Sequence, residues 1–130
     1  MSQPAPHGLI LFGHGARDPR WAEPFERLAA LTRARHGATG PVTLAYLELM
    51  SPELGDAVSA QVRQGCRRIT VIPVFFGRGA HLRRDFPALL DACRAQHPDV
   101  ALEASTAVGE AEAVLEAIAA FCAAQGQAQA

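Results

Sequence analysis

The chain has 130 residues and a mass of 13.8 kDa, which is enough for one ordinary domain and too little for two. Hydrophobic residues make up 49% of the chain and charged residues 19%, a balance that excludes an intrinsically disordered protein. The 12 basic and 13 acidic residues leave a net charge of -1, which excludes a generally basic surface for nucleic acid. We therefore expect one folded domain over residues 1–130, with a small polar tail at 125–130 that frays.

The cysteine pattern and the first residues predict a protein of a reducing compartment. Cys66, Cys93 and Cys122 are an odd number of thiols, and no two have the CxxC spacing of a metal or redox site. Residues 1–7 lack the charged and then apolar form of a signal peptide, and the apolar run at 9–12 is too short to span a membrane. We expect a cytoplasmic protein with reduced, packed thiols.

Strand-like and helix-like patterns alternate along the first half of the chain. The apolar run at 8–13 predicts a strand, and Asp18 and Pro19 predict the N-cap and first residue of a helix, although Pro24 delays its regular part. Residues 42–49 predict a second strand, and Ser51-Pro52 predicts the cap of a second helix. The apolar positions of these two helices are Phe25, Leu28 and Leu31 in the first and Leu54, Val58 and Val62 in the second.

The alternation continues through the second half. Residues 68–76 predict a third strand, in which Pro73 favours an edge position or a bulge because proline cannot donate to a sheet ladder. A third helix is predicted from near Asp85 to Gln96, and a short edge strand at 100–104. The last helix is predicted from Glu110 to about Ala124, with Val114, Leu115, Ile118 and Phe121 on one face.

Four strands that alternate with four helices predict an α/β fold: a four-stranded parallel sheet with helices on both faces, flavodoxin-like, in the order 2-1-3-4. In such open sheets, ligands bind beyond the carboxyl ends of the strands, where the strand order reverses. In this chain the reversal is expected between the first and third strands.

Two histidines and a carboxylate follow strands at that end of the predicted sheet. His14 comes after the first strand between two glycines, and His81 follows a glycine-containing loop after the third strand, where the backbone can approach a ligand closely. Glu48 lies near the end of the second strand, although the alternation also allows it to face a helix or solvent. The other histidines, His7, His36 and His97, lie before a strand or at helix ends, and we assign them to structural roles or to solvent.

Five of the 12 arginines lie near the two histidine loops: Arg17, Arg20, Arg78, Arg83 and Arg84. A solvated face explains such a cluster. Beside the histidines, the cluster also fits an electrostatic funnel for a polycarboxylate or phosphate ligand.

Three segments together carry a resemblance to a known family: HGARDP at 14–19, YLELMSPEL at 46–54 and IPVFFGRGAHLRRDFP at 72–87. They resemble the small sirohydrochlorin chelatases, which are class II chelatases of the CbiX type, from the first strand to the last helix. The resemblance implies a chelatase-like fold and a lyase that inserts Co²⁺ or Fe²⁺ into sirohydrochlorin, in cobalamin or siroheme biosynthesis. It also implies a homodimer, and it accounts for Pro73 as a family feature of the third strand.

The resemblance assigns roles to single positions. His14 and His81 correspond to the metal-handling histidines of the family, and Glu48 to its acidic residue after the second strand, so these three are the predicted catalytic residues. Asp85 and Pro87 match the motif after the second histidine and are expected to be structural. Ala16 departs from the pattern, since serine is more usual there, but both residues are small.

The residues fit a transient metal site. Neutral imidazole suits divalent iron, cobalt, nickel or zinc, and two imidazoles with one carboxylate leave coordination positions open for pyrrole nitrogens. One imidazole or Glu48 accepts the pyrrole protons. The metal is therefore a substrate, no permanent cofactor is implied, and the partners are the tetrapyrrole and the ion, with no nucleic acid and no membrane. The arginines expected to bind the substrate's carboxylates are Arg17, Arg78, Arg83 and Arg84.

Two alternatives stay open at this point. A histidine-dependent phosphoryl-transfer enzyme also uses a histidine near an arginine, although such enzymes place arginine directly before the nucleophile, where this chain has Gly13. A non-catalytic carrier of metal or tetrapyrrole needs the same ligands as a catalyst, so the sequence does not separate the two.

Overall fold

The computed structural model describes residues 4–77 and 79–128, without the side chains of residues 80, 81 and 128. The strands are β1 (His7–Gly13), β2 (Val42–Tyr46), β3 (Arg68–Pro73) and β4 (Ala101–Ala104). The α-helices are α1 (Glu23–His36), α2 (Leu54–Arg63), α3 (Ala80–Gln96) and α4 (Glu112–Ala128). Short 3-10 turns occupy Pro19–Ala22, Gly37–Thr39 and Val108–Glu110.

The four strands form one parallel sheet in the order β2-β1-β3-β4, which confirms the predicted fold class and strand order. The order reverses between β1 and β3, so the carboxyl ends of these two strands mark the expected binding edge. The larger core lies between one sheet face and helices α2 and α3, where Ile10, Phe12, Ile69 and Val71 are fully buried. On the other face, a smaller core under α1 contains Leu11, Phe25, Ala29, Val42 and Tyr46.

Pro73 lies in an internal strand, so the prediction of an edge strand is wrong. The backbone directions explain why the residue is tolerated. The Val74 amide donates to Phe12 O on the β1 side, which turns the nitrogen of Pro73 toward β4. There β4 has already ended, since its last pair joins Val71 to Ala104. The missing N–H of Pro73 therefore has no strand partner to lose.

Several predicted boundaries differ from the structure. β2 ends at Tyr46, and residues 47–52 form a loop with a cis Ser51–Pro52 peptide bond, so Glu53 and not Ser51-Pro52 occupies the N-cap of α2. α3 begins at Ala80, after an extended Gly79, and not near Asp85. No side chain caps this helix, so the sequence lacked the polar N-cap that usually announces a helix start.

Most of the apolar face of α4 lies uncovered among the described residues. α4 packs mainly against the turn Val108–Glu110, and residues 116–127 are all exposed. The side chain of Phe121 is 68% exposed and that of Ile118 39%. Val114 and Leu115, near the start of the helix, are half-buried. The apolar periodicity of this helix is real, but no element of its own chain covers it among the described residues.

The three cysteines are free: Cys66 and Cys93 are buried and Cys122 is exposed. Burial raises the pKa of the Cys66 and Cys93 thiols, which agrees with packed, unreactive side chains. The prediction of packing fails for Cys122, which lies on α4. Within the described residues, none of the helices has the length and the apolar character needed to cross a bilayer.

A network of hydrogen-bonded polar side chains connects β1, β3 and β4. His7 Nε2 lies 2.8 Å from Thr70 Oγ1, and the Thr70 hydroxyl donates to Glu103 Oε1 at 3.3 Å. Because that hydroxyl has one hydrogen, it accepts from His7, which places the imidazole proton on Nε2. Arg68 Nε donates to the same Glu103 oxygen at 2.9 Å, and His36 Nε2 lies 2.8 Å from the carbonyl oxygen of His7. These contacts agree with structural roles for His7 and His36.

The partly buried position of His7 in this network predicts a loss of stability on mild acidification. Burial, and then the charge of Arg68, lowers the pKa of His7 from its ordinary value of 6.5 in the folded state. The unfolded chain therefore takes up the proton first as the pH falls below about 6.5, and the free energy of unfolding decreases. We expect the urea midpoint to fall between pH 7.5 and pH 5.0, and to fall less in His7→Gln. An equal fall in both proteins would contradict this role of His7.

Candidate functional site

His14 and Glu48 meet at the carboxyl end of the sheet. His14 follows β1 directly, and its Nε2 lies 3.3 Å from Glu48 Oε1. Both side chains are about half exposed, at 53% and 56%, so ligands can reach them from solvent. The sequence left open whether Glu48 faces a helix layer, solvent or the histidine. The structure brings it to His14.

Main-chain hydrogen bonds fix this pair. Beyond the end of β2, the Leu47 amide donates to Gly13 O at 2.9 Å and the Glu48 amide donates to His14 O at 3.2 Å. The β1–β2 ladder therefore continues to His14 and Glu48 themselves. Gly15 has φ +94, and a Cβ at this position would overlap the carbonyl oxygen of Glu48. The glycine after His14 thus allows the two loops to touch.

The loop that carries Glu48 is tightly closed. The Tyr46 amide donates to Pro52 O at 2.9 Å, so the chain returns to the end of β2 after only a few residues. Leu49 has φ +67, a left-handed conformation that is unusual for a residue with a side chain. Its side chain is 58% exposed. Strained backbone of this kind occurs preferentially at functional sites. Here it lies directly beside Glu48.

An apolar cavity of about 150 Å³ adjoins His14. Its wall is formed by His14, Leu47, Phe75, Gly77, Gly79 and Leu82. The rings of His14 and Phe75 meet edge to face, with centroids 6.3 Å apart. Phe76, the next residue, is 71% exposed. Sequence reasoning had not assigned these apolar residues to the site, although two phenylalanines just beyond a buried strand are a detectable signal.

The predicted site residue His81 follows this cavity wall along the chain. The backbone of His81 lies in the first turn of α3, between Gly79 and Leu82, which both line the cavity. The side chain of His81 and the whole of Arg78 lie outside the described residues. The juxtaposition of the two imidazoles therefore stays a prediction.

The described arginines of the predicted cluster lie on the surface. Arg17, Arg83 and Arg84 are exposed, and Arg84 Nε lies 3.5 Å from Asp85 Oδ1. Arg20 is tied to Asp18, whose side chain caps the turn Pro19–Ala22. Hydrogen bonds from Arg20 lower the pKa of Asp18. Arg20 therefore pairs with Asp18, the residue that caps this turn.

The arrangement offers one imidazole and one carboxylate at an open apolar cleft. Within residues 4–77 and 79–128, with the side chain of His81 left aside, no group of three histidine, cysteine or acidic side chains is arranged to hold a metal ion. Two described donors suit a labile metal contact or a proton transfer rather than a closed structural site.

The chain is similar to a family of known proteins. A family model described as CbiX matches residues 8–123. The chain is 36% identical over 89 residues to the sirohydrochlorin cobaltochelatase of Methanocaldococcus jannaschii, a match that covers 68% of this chain and 62% of that protein. It is 33% identical over 82 residues to the protein of the same name from Methanopyrus kandleri, covering 63% and 57%. The chain thus spans about three fifths of the length of the curated relatives it matches.

Solved structures of known proteins are also similar to this chain. The CbiX protein of Marinobacter aquaeolei VT8 has a TM-score of 0.83 and 34% identity, over 94% of this chain and 98% of that chain. The sirohydrochlorin chelatase SirB of Bacillus subtilis subspecies spizizenii, in complex with cobalt, has a TM-score of 0.69 and 22% identity, over 82% of this chain and 45% of that chain. The second likeness shows the fold alone.

The close contact at Gly15 predicts a specific sensitivity. In Gly15→Ala, the added Cβ must occupy a positive-φ position and push against the Glu48 carbonyl, so we expect a loss of about 1–3 kcal/mol in the free energy of unfolding. Gly55→Ala is the matched control, because a Cβ there meets no atom within 4 Å. Urea unfolding of the two variants measures the difference. Equal stability of both variants and wild type would refute the close approach of these loops.

Proposed function

Because the chain belongs to the CbiX family, we propose that it inserts Co²⁺ or Fe²⁺ into sirohydrochlorin, in the biosynthesis of cobalamin or siroheme. The relatives named sirohydrochlorin cobaltochelatase support this substrate. The observation that carries the proposal is the contact of His14 with Glu48 at the sheet edge where the strand order reverses. A cytoplasmic location and the lack of a permanent cofactor are parts of the same proposal.

The distance between the two donors suits one shared ion. Atoms that each lie about 2.1 Å from a divalent metal, at an angle of about 100°, are separated by roughly the observed distance, which is 3.3 Å between His14 Nε2 and Glu48 Oε1. The ion can therefore replace the direct contact without a large rearrangement. His81 is proposed as the second imidazole. Neutral imidazole binds such metals moderately, and the remaining positions go to the pyrrole nitrogens.

Insertion also requires a proton acceptor. As the ion binds the macrocycle, two pyrrole N–H groups lose their protons, and each nitrogen donates its lone pair to the metal. We propose that one imidazole or Glu48 accepts these protons as it releases the ion to the ring, when its lone pair becomes free, since both types of group serve as general bases. The half-exposed positions of His14 and Glu48 allow the protons to pass on to water.

The macrocycle is proposed to lie across the mouth of the apolar cavity. The cavity holds about 150 Å³, which is well below the roughly 300–1,000 Å³ of sites that enclose a small molecule. The ring therefore rests over the cavity, against exposed apolar groups such as Leu49 and Phe76. A site this open in one chain supports the proposal of a homodimer, in which a second copy covers the bound ring.

Metal insertion by single variants tests the catalytic assignment. We expect His14→Ala and His81→Ala each to lower the rate by at least about 10²-fold, and Glu48→Gln by a smaller factor, because each loses a base or ligand. The measurement is the absorbance change of sirohydrochlorin on addition of Co²⁺ or Fe²⁺. His97→Gln is the control, since this histidine contacts Ser59 Oγ at 3.1 Å, away from the described site.

Three outcomes would change the assignment. Wild-type rates in folded His14→Ala and His81→Ala would refute it. Stoichiometric binding of metal and tetrapyrrole with no acceleration of insertion would identify a carrier. Turnover of a phosphate ester without added metal would favour phosphoryl transfer.

The exposed arginines predict an effect on substrate binding. We propose that Arg17, Arg78, Arg83 and Arg84 pair with the peripheral carboxylates of the tetrapyrrole. Arg83→Gln, at a site exposed in the structure, is expected to raise KM several-fold with little change in kcat, because the lost interaction is equal in the ground and transition states. Arg35→Gln, on α1, is the matched control. A lowered kcat with an unchanged KM would contradict a binding role.

A further inference from the structure

We propose that Phe75 is a positioning residue, which holds the imidazole of His14 in the orientation that accepts a metal ion. The inference rests on the function proposed above and deepens it, because it names a side chain that acts through His14. It is carried by a series of three phenylalanine rings that begins in the buried core and ends at the His14 ring.

The His14 imidazole needs such support because it is open to solvent. Its side chain is 53% exposed, and exposed side chains change rotamer freely. The contact between His14 Nε2 and Glu48 Oε1, at 3.3 Å, is the one that an ion entering between these two atoms replaces. The edge-to-face contact with Phe75, with ring centroids 6.3 Å apart, involves neither of these atoms' shared space and persists when the ion binds.

The Phe75 ring is itself anchored in the core. Phe12 and Phe86 are fully buried and stack on each other, with centroids 5.3 Å apart and an angle of 14° between the rings. The Phe75 ring meets Phe12 at 64°, with centroids 6.0 Å apart. Successive aromatic contacts therefore run from α3 through Phe86, Phe12 and Phe75 to the site. Close-packed rings of this kind leave Phe75 little freedom to move.

The main chain of Phe75 is fixed on two sides. Its carbonyl oxygen accepts a hydrogen bond from the Gly109 amide at 2.9 Å. The preceding amide, of Val74, donates to Phe12 O at 2.8 Å. A Cβ at Gly109 would overlap the main chain of Phe76, so the loop after β4 lies directly against this segment. Phe75 is thus held by β1 and by that loop, and it offers His14 a fixed surface.

The contact is expected to act on metal affinity through the population of one rotamer. An edge-to-face pair favours the contacting rotamer over the others by about 2- to 10-fold. The ion binds the rotamer that presents Nε2 toward Glu48, so the apparent dissociation constant is the intrinsic one divided by the fraction of molecules in that rotamer. Loss of the Phe75 ring therefore weakens metal binding by about 2- to 10-fold.

NMR of the His14 ring and titration with Co²⁺, both without tetrapyrrole, test the proposal. Phe75→Leu keeps an apolar cavity wall and removes the ring. We expect the His14 ring-proton signals, identified by their loss in His14→Ala, to shift because the ring current of Phe75 is gone. We expect the dissociation constant for Co²⁺ at His14 to rise by about 2- to 10-fold. Phe75→Tyr retains an aromatic ring and is expected to restore both readings.

Ile69→Val is the control for a general loss of stability. Ile69 is fully buried in the same core, but it lies near the amino-terminal end of β3, whereas Phe75 lies beyond the carboxyl end. Urea unfolding is expected to show that both Ile69→Val and Phe75→Leu fold and are moderately destabilised. Only Phe75→Leu is expected to change the His14 signals and the affinity for Co²⁺.

Three results would overturn the proposal. Unchanged His14 signals and Co²⁺ affinity in folded Phe75→Leu would show that the ring does not position His14. Equal weakening in Phe75→Leu and Phe75→Tyr would assign the effect to the shape of the cavity wall. Equal weakening in Ile69→Val would assign it to stability.

The same measurements separate this proposal from the proposed function. A wild-type protein that binds no Co²⁺ at His14 would refute the positioning role together with the metal site. A wild-type protein that binds Co²⁺ but does not insert it would refute the chelatase, and the expected response of Phe75→Leu would then uphold the positioning role in a carrier.

Discussion

The parallel pairing of β1 between β2 and β3 is the constraint on which the candidate site depends. Because β1 is hydrogen-bonded on both sides, its carboxyl end lies at the point where the strand order reverses. His14 is the first residue beyond that end. The ladder to β2 runs on through the amides of Leu47 and Glu48, so the main chain holds the carboxylate against the imidazole. The apolar cleft under them follows from the same geometry, because Phe75 leaves β3 at the same edge.

The fold could be predicted from the sequence because several features of the sequence indicate it independently. Four strand-like runs alternate with helical periodicities, and few topologies satisfy that alternation with right-handed crossovers. The predictions from sequence were wrong where the tertiary structure overrode a local sequence rule. Pro73 is tolerated inside the sheet because its nitrogen points past the end of β4. α3 begins before any capping residue, and a sequence rule that looks for a polar N-cap therefore starts it too late.

The candidate site could be predicted from the sequence only in part. Glycines around His14 indicated a loop that approaches a ligand, and the strand ends indicated which edge it occupies. The contact with Glu48 could not be derived from alternation, because the strand ends at Tyr46 and the following loop sets the direction of the side chain. The apolar wall was missed because Phe75 and Leu82 resemble ordinary core residues. In α4 the reverse holds, because an apolar stripe that resembles a core-facing one is left uncovered by the part of the chain that the structure describes.

The support of His14 and Glu48 by backbone atoms has a consequence for how this scaffold changes over evolutionary time. Neither side chain is needed to close the loops that present it, since amides, carbonyls and one glycine do that. The backbone framework and the identity of these two exposed side chains are therefore separable, and a lineage can exchange the side chains, and with them the chemistry proposed for this edge, while the framework persists.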